Sequence, residues 1–403
     1  MTSRWEQATL KDVCLPIVKA DPAELGRGAI RYIDLGSVDG ARHMLSDVPE
    51  IQATDAPSRC RQVVQAGDTV FSTVRPYLEK IAYVDGTLDG EFASTGFCVL
   101  RPGPRLLPKH LYYFSISPAM LSQVLPYQKG VSYPAVLDKE VRASVIPLPS
   151  LDEQRRIVEL LEDHLSRLDA ADAYVQSASQ RLVNARRSAL DRLFGGREVP
   201  LADLVDNISA GKSFGAANGP AADNEWGIIK VSAMTWGEFD PAENKAVPSD
   251  RVDPRFEIRE GDLLVSRANT SEYVGASVLV GPVRAKLLLS DKSLRVSPID
   301  GVRSDWLWRA LLAPSARRQI SALATGTKDS MRNISQASLM RVRVPRATPQ
   351  EQAAAVSAYA ELADEFDRLQ AELDSAHRRA IDLRRTLLAT AFSGQLTAET
   401  AIA

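Results

Sequence analysis

The chain has 403 residues, 45% of them hydrophobic, which is enough to bury more than one core. Its 49 basic and 51 acidic side chains leave a formal charge of −2. That balance excludes a uniformly basic coat for nucleic acid, so any such contact must rest on local surfaces. The three cysteines, Cys14, Cys60 and Cys98, are odd in number and far apart, which excludes a disulfide framework and fits free thiols in a reducing compartment. The histidines form no ligand spacing with them, no run of about 18 apolar residues exists, and MTSRWEQATL has no hydrophobic leader core. The expectation is a soluble, cytoplasmic protein with no membrane segment.

In chain order, Leu10-Lys11-Asp12-Val13 opens a first unit, followed by IRYIDLGSVDG, a β-branched strand running to a glycine turn. Gly67-Asp68 then begins QAGDTVFSTVRPYLEKIAYVDG, which reads as a turn, a strand, a polar loop and a second strand. PYQKGVSYPAVLDKEVRASVIPLP supplies a polar loop around Gly130, a short helix and a strand ending in proline. Next, Ser150 stands three residues before Glu153, the capping-box spacing that starts a helix. Apolar residues recur at steps of three and four through Leu161, Leu165, Leu168, Val175, Ala178, Leu182, Ala189 and Leu193, with Asp172 filling one gap. Phe194-Gly195-Gly196 ends the helix.

The chain then repeats itself. Leu201-Ala202-Asp203-Leu204 matches the opening, GIIKVSAMTWGEF pairs Ile229 with Ile33, and REGDLLVSRANTSEYVGASVLVGP matches through Gly261-Asp262. LATGTKDSMRNISQASLMRVRVP pairs Gly326 with Gly130, and Thr348 stands three residues before Glu351. A second apolar seam follows at Val356, Tyr359, Ala363, Phe366, Leu373, Ala380, Leu383 and Leu387, closed by Phe392-Ser393-Gly394. Offsets drift from 191 to 198 residues, as in an old duplication with diverged loops.

Each helix of some 40 residues is a rod of roughly 60 Å with one narrow apolar seam, and the other copy is its natural partner. For the second rod to cover the first it must run back, so the pair is expected to be antiparallel, with one globular head at each end and pseudo-twofold symmetry. Residues 1–150 carry 16 basic and 16 acidic side chains and residues 200–347 carry 20 and 17, so the acidic excess lies in the helices. A twofold reader of DNA meets two half-sites; unlike loops on like heads imply two different ones.

These motifs resemble the specificity subunits of type I restriction-modification systems: a W…LxDV opening, a GDxxxS strand, a Gly-loop, a proline step into an EQ-containing helix, then the unit again. The resemblance covers essentially the whole chain. It implies an α+β fold of two similar target recognition domains, residues 1–149 and 197–347, separated by two long antiparallel coiled-coil helices, residues 150–196 and 348–394, with a tail at 395–403. It also implies double-stranded DNA as ligand, two methyltransferase subunits and motor-endonuclease subunits as partners, and no catalysis by this chain. S-adenosylmethionine, ATP and Mg²⁺ would sit on those partners, with no cofactor here.

The family pattern points to Arg75, Tyr77 and Lys80 in the first polar loop and to Arg267, Asn269 and Tyr273 in its counterpart. In the Gly-loops it points to Lys129, Ser132 and Tyr133, and to Lys328, Arg332 and Asn333. Arg and Lys suit guanine edges or phosphates, Asn suits adenine, and Tyr packs on sugar or base. ISAGKSFGAANGP is similar to the family's opening loop, whereas the first copy has CLPIVKADPAELG in its place. Gly211-Lys212-Ser213 is no phosphate loop, because Asp206 stands where that motif requires glycine. No Asn/Asp-Pro-Pro-aromatic tetrapeptide and no clustered carboxylates beside a lysine occur, so neither methyltransferase nor nuclease chemistry is expected. Two other readings stand beside this one: a scaffold binding only protein, and a specificity subunit of a related fused or two-component restriction enzyme.

Overall fold

The computed structural model describes residues 5–130, 133–215, 219–235, 237–326 and 331–397. The chain forms two compact units, Met1–Val175 with Ser375–Ala403, and Gln176–Asp374. Both boundaries fall inside the long helices α1 (Leu151–Leu193) and α2 (Pro349–Ser393), so each unit contains a head and part of both helices. No helix among the described residues is long and apolar enough to cross a membrane.

In the first unit Glu6–Thr9 pairs antiparallel with Val145–Leu148. One four-stranded sheet runs Cys14–Leu15, Phe97–Pro102, Thr69–Ser72, Ile81–Tyr83; another runs Glu50–Gln52, Ala29–Ile33, Phe92–Ser94, Cys60–Val63, with its central pair parallel. The second unit repeats the order. Glu198–Pro200 pairs with Arg343–Pro345, one sheet runs Val205–Ala210, Ser293–Pro298, Leu263–Ser266, Ser277–Leu279, and the other runs Asn244–Ala246, Gly227–Ile229, Leu287–Leu288, again with a parallel pair. Ile33 and Ile229 end matching strands. The fold is α+β with an internal repeat.

The GD-led strands are buried at every position, so their alternating side chains serve two cores. Phe71 joins Leu111, Phe114 and the helices, while Val70 faces Ile33 and Val99 in the space between the sheets. In the second unit Leu263 and Val265 face the helical core, and Leu264 packs with Ile229. The Gly-Asp pair starts each strand for a stated reason. Gly67 and Gly261 take φ of +94° and +87°, which glycine adopts at no steric cost. Asp68 accepts the Gln65 N–H at 2.8 Å and a two-pronged contact from Arg101 at 2.9 and 2.7 Å. Asp262 accepts the Arg259 N–H at 2.9 Å and pairs with Arg295 at 2.8 Å.

Helix α2 opens on a complete capping box. The Thr348 hydroxyl accepts the Glu351 N–H at 3.3 Å, and the Glu351 carboxylate accepts the Thr348 N–H at 2.7 Å, which holds its pKa below the usual range. Helix α1 departs from that expectation. Ser150 caps the Glu153 N–H at 3.3 Å, but the Glu153 carboxylate accepts the hydroxyl of Thr397, in the tail after α2, at 2.5 Å.

The residue after each of these glutamates fastens helix to head. The buried Gln154 side chain donates to the carbonyls of Arg105 and Pro149, both at 2.9 Å, and accepts the Leu107 N–H at 2.8 Å. Gln352 repeats the arrangement, donating to Gly301 at 3.1 Å and Ala347 at 2.9 Å and accepting the Arg303 N–H at 2.8 Å.

Within each unit the α1 and α2 segments run antiparallel. In the first, Leu161 and Leu165 share a core with Leu388, Ala391 and Phe392; Asp172 meets His377 at 2.5 Å, and Asp169 pairs with Arg384. The gap in the α1 seam is thus filled by a polar contact. In the second, Arg186 reaches Asp367 at 2.5 Å, and Phe194 packs edge-on against Tyr359 with ring centroids 5.8 Å apart. The expected seam is wrong at Leu383, which is 56% exposed. A strict three-four step drifts around the helix, and Arg384 and Leu388 face inward beside the expected Leu387.

Replacing Gln154 with Leu orphans an N–H and two carbonyls, so the first unit should lose about 2–4 kcal/mol. Hydrogen exchange in the helix Pro108–Ser115 reads this directly, and unchanged protection would show the clamp to be dispensable. A second expectation concerns His110, buried against Phe392 with ring centroids 5.1 Å apart, whose pKa burial lowers to about 4. A base depressed on folding binds fewer protons than the unfolded chain. Stability should therefore fall as pH drops from about 6.5 towards 4, by up to roughly 3 kcal/mol. His110→Gln should flatten that part of the pH profile of urea unfolding.

Candidate nucleic-acid interface

In each unit the loop after the GD-led strand and the Gly-loop converge by backbone pairing. In the first, Val74 bridges Ala135, the Arg75 N–H donates to the Pro134 carbonyl at 2.7 Å, and the Val136 N–H donates to Thr73 at 2.9 Å. Lys129 and Ala135 exchange hydrogen bonds at 3.0 and 2.9 Å, closing the Gly-loop as a hairpin. In the second, Ala268–Asn269 pairs antiparallel with Arg332–Asn333, and Thr325 and Asn333 exchange two bonds at 2.8 Å. Gly130 and Gly326 make both hairpins possible. Their φ values are +100° and +132°, and a Cβ at Gly326 would meet the Met331 carbonyl oxygen at 2.6 Å.

The first pair of loops is over-determined. Arg75 and Glu79, neither of them glycine, take φ of +48° and +50° around the short turn Pro76–Leu78. Backbone held in this region costs of order 1–3 kcal/mol per residue and concentrates where a surface must keep its shape. The turn presents Tyr77, 48% exposed, while Tyr133 of the hairpin is 75% exposed with the Arg75 guanidinium 5.1 Å from its ring centre. Lys129 is exposed beside them. Lys80 is not presented this way, because its ammonium donates to the Leu35 carbonyl.

In the second pair, Asn333 is exposed, and Asn269 lies opposite Arg332 in the ladder. The Asn269 side chain accepts the Thr270 N–H at 2.9 Å and donates to Ser266 Oγ at 3.4 Å. Arg332 is turned inward, donating to the carbonyls of Ala324 at 2.6 Å and Gly326 at 3.3 Å. Arg267 is half-buried and its backbone carbonyl accepts from Ile334, which ties the two loops. Tyr273 is half-buried in the turn Thr270–Ala276. Ser132 and Lys328 lie outside the described residues.

Residues 2–172 match the family model of the type I restriction modification DNA specificity domain. The chain resembles the specificity subunit of the Escherichia coli type I restriction enzyme EcoEI, 28% identical over 46% of this chain and 32% of that relative. It also resembles the EcoKI specificity subunit of E. coli K12, 24% identical over 99% of this chain and 86% of that one. A solved chain from a study of complex assembly and conformational transition in the type I restriction-modification system superposes with a TM-score of 0.81. It is 26% identical, with 98% of this chain and 99% of that one covered. The chain is similar to the type I specificity subunits along nearly its whole length.

The HsdS subunit of Thermoanaerobacter tengcongensis superposes over 97% of both chains at 25% identity, with a TM-score of 0.54. Specificity subunits are the non-catalytic, sequence-reading members of such systems. The three cysteines are all free thiols, and burial pushes Cys14 and Cys98 up to about 12 and Cys60 up to about 11.

Sequence reasoning missed exposed Tyr127 and Met331 beside the two hairpins; proximity to Gly130 and Gly326 was the available signal. The inward cations and outward aromatics can be separated by stability. Lys80→Met and Arg332→Met each orphan loop carbonyls and should cost about 1–2 kcal/mol, whereas Tyr133→Ala should stay within about 0.5 kcal/mol. Equilibrium unfolding in urea measures all three, and the opposite ranking would contradict this placement.

Proposed function

We propose that each head reads one half of a bipartite, asymmetric DNA target, largely through the major groove, while α1 and α2 set the gap between the halves. The observation that carries this reading is the twice-built scaffold of two loops locked by backbone pairing, bearing Arg75, Tyr77 and Tyr133 in one unit and Asn269, Tyr273 and Asn333 in the other. Like frames with unlike side chains are what an asymmetric reader needs.

In this reading the chain works in the cytoplasm within a complex. Two methyltransferase subunits dock on the exposed Glu-, Asp- and Arg-rich faces of the helices, and motor-endonuclease subunits join them. S-adenosylmethionine, ATP and Mg²⁺ belong to those partners, which carry adenine methylation and ATP-dependent cleavage, with the target base flipped out for methylation. A net charge of −2 accords with this division, since clamping partners supply much of the phosphate neutralisation.

The test uses the chain assembled with its methyltransferase subunits, gel-shift for binding, and sequencing of methylated adenines for the target. Wild type should select a two-part sequence, and inserting four residues after Ala178 should alter the gap while leaving both half-sequences intact. No sequence-selective binding, alone or assembled, would sink the proposal in favour of a protein-only scaffold. Altered half-sequences on insertion would refute the division of labour.

A further inference from the structure

The internal repeat allows each unit to serve as the other's control, and one position stands out. The helices Pro118–Val124 and Pro314–Leu323 correspond, each opening on proline and burying matched side chains, Met120 and Val124 in one, Ala316 and Ile320 in the other. In this alignment the first unit has Leu121, packed against its core, where the second has Arg317.

The Arg317 guanidinium lies largely out of solvent, with no carboxylate partner among the described residues. Its Nη2 donates to the carbonyls of Glu272 at 3.2 Å and Val274 at 3.0 Å, and its Nη1 is buried with no hydrogen-bond partner among those residues. Desolvating a cation for neutral acceptors alone is costly, so packing by itself would favour the leucine of the first unit. What Arg317 adds is a hold on the backbone immediately before and after Tyr273. The same segment is seated on the same helix by Gly275, whose φ is +70° and where a Cβ would meet Ile320 Cγ2 at 2.2 Å.

The need for such a hold is visible in the connections. The first unit joins Ser72 to Ile81, the second joins Ser266 to Ser277 with two residues more, and the longer loop lacks the pair of strained residues that brace Pro76–Leu78. Readout of base edges needs the contributing Cα held to within about 0.5 Å.

We infer that Arg317 is a positioning residue for base readout by the second unit, fixing the backbone on both sides of Tyr273 from the helix Pro314–Leu323. This rests on the DNA-reading role proposed above. Arg317 touches no base itself; it acts through the loop it holds.

The experiment compares wild type with Arg317→Leu, the residue of the first unit, and Arg317→Lys, each assembled with methyltransferase subunits. Binding is measured on targets carrying single base changes in either half. Arg317→Leu should lower discrimination in the second half by about tenfold or more and leave the first half unchanged. Arg317→Lys should recover part of it, since an ammonium can still reach one carbonyl. A folded Arg317→Leu complex with undiminished discrimination overturns the inference, even if its melting temperature falls, because a merely structural role weakens binding to all sequences alike. Should Arg317→Leu fail to fold, Arg317→Gln decides by the same readout: relaxed second-half preference supports the inference, and intact preference overturns it. A wild-type complex with no base discrimination would instead overturn the DNA-reading role, and the inference with it.

Discussion

The molecule depends on two glutamine side chains. Gln154 and Gln352 each join three segments of the chain in one polar contact: the first turn of a long helix, the proline step that enters it, and the segment that opens the head's own helices. A buried amide that satisfies one N–H and two carbonyls fixes direction as well as distance, because all three partners are backbone and cannot swing aside. An apolar contact at that joint would hold helix to head but leave the angle loose. The loop pairs are useful only if the heads that carry them keep a set orientation on the rods.

Much of this was legible in the sequence, and what was not has a common cause. The doubled order of strands, the GD turns, the paired glycines and the long helices follow from local chemistry, since φ preferences, β-branching and apolar spacing act over a few residues. The partners of Gln154 lie near Arg105, and those of Asp68 include Arg101 on a neighbouring strand. Such contacts depend on tertiary carbonyls and strand order that no window of sequence displays. The Glu153 box was legible in spacing but lost its carboxylate to Thr397, a residue nearly 250 positions away.

The same limit governed the recognition loops. Their location could be read from motif and repeat, yet Lys80 and Arg332 look in sequence like outward cations, and in the structure Lys80 ties its loop to the Leu35 carbonyl while Arg332 supports its own hairpin. Exposed Tyr77 and Tyr133 in the first unit and Asn333 in the second take the outward positions. A loop that spends its long cations on internal carbonyls gains rigidity, and a rigid loop loses less entropy when it meets a ligand. In the DNA-reading role proposed above, discrimination among bases would fall to the remaining outward side chains on a frame prepared in advance.

The division of the chain into units has a consequence for how it is made. The second unit is one continuous stretch, Gln176–Asp374, whereas the first is assembled from both ends of the chain. Residues Leu388, Ala391 and Phe392 belong to the core built by Leu111, Phe114 and Leu161, so the head synthesised first cannot finish its core until those three residues leave the ribosome. The usual order of vectorial folding, amino-terminal unit first, is reversed. During synthesis the helix Pro108–Ser115 and the start of α1 expose an apolar face that Leu388, Ala391 and Phe392 cover only after the whole second unit has been made.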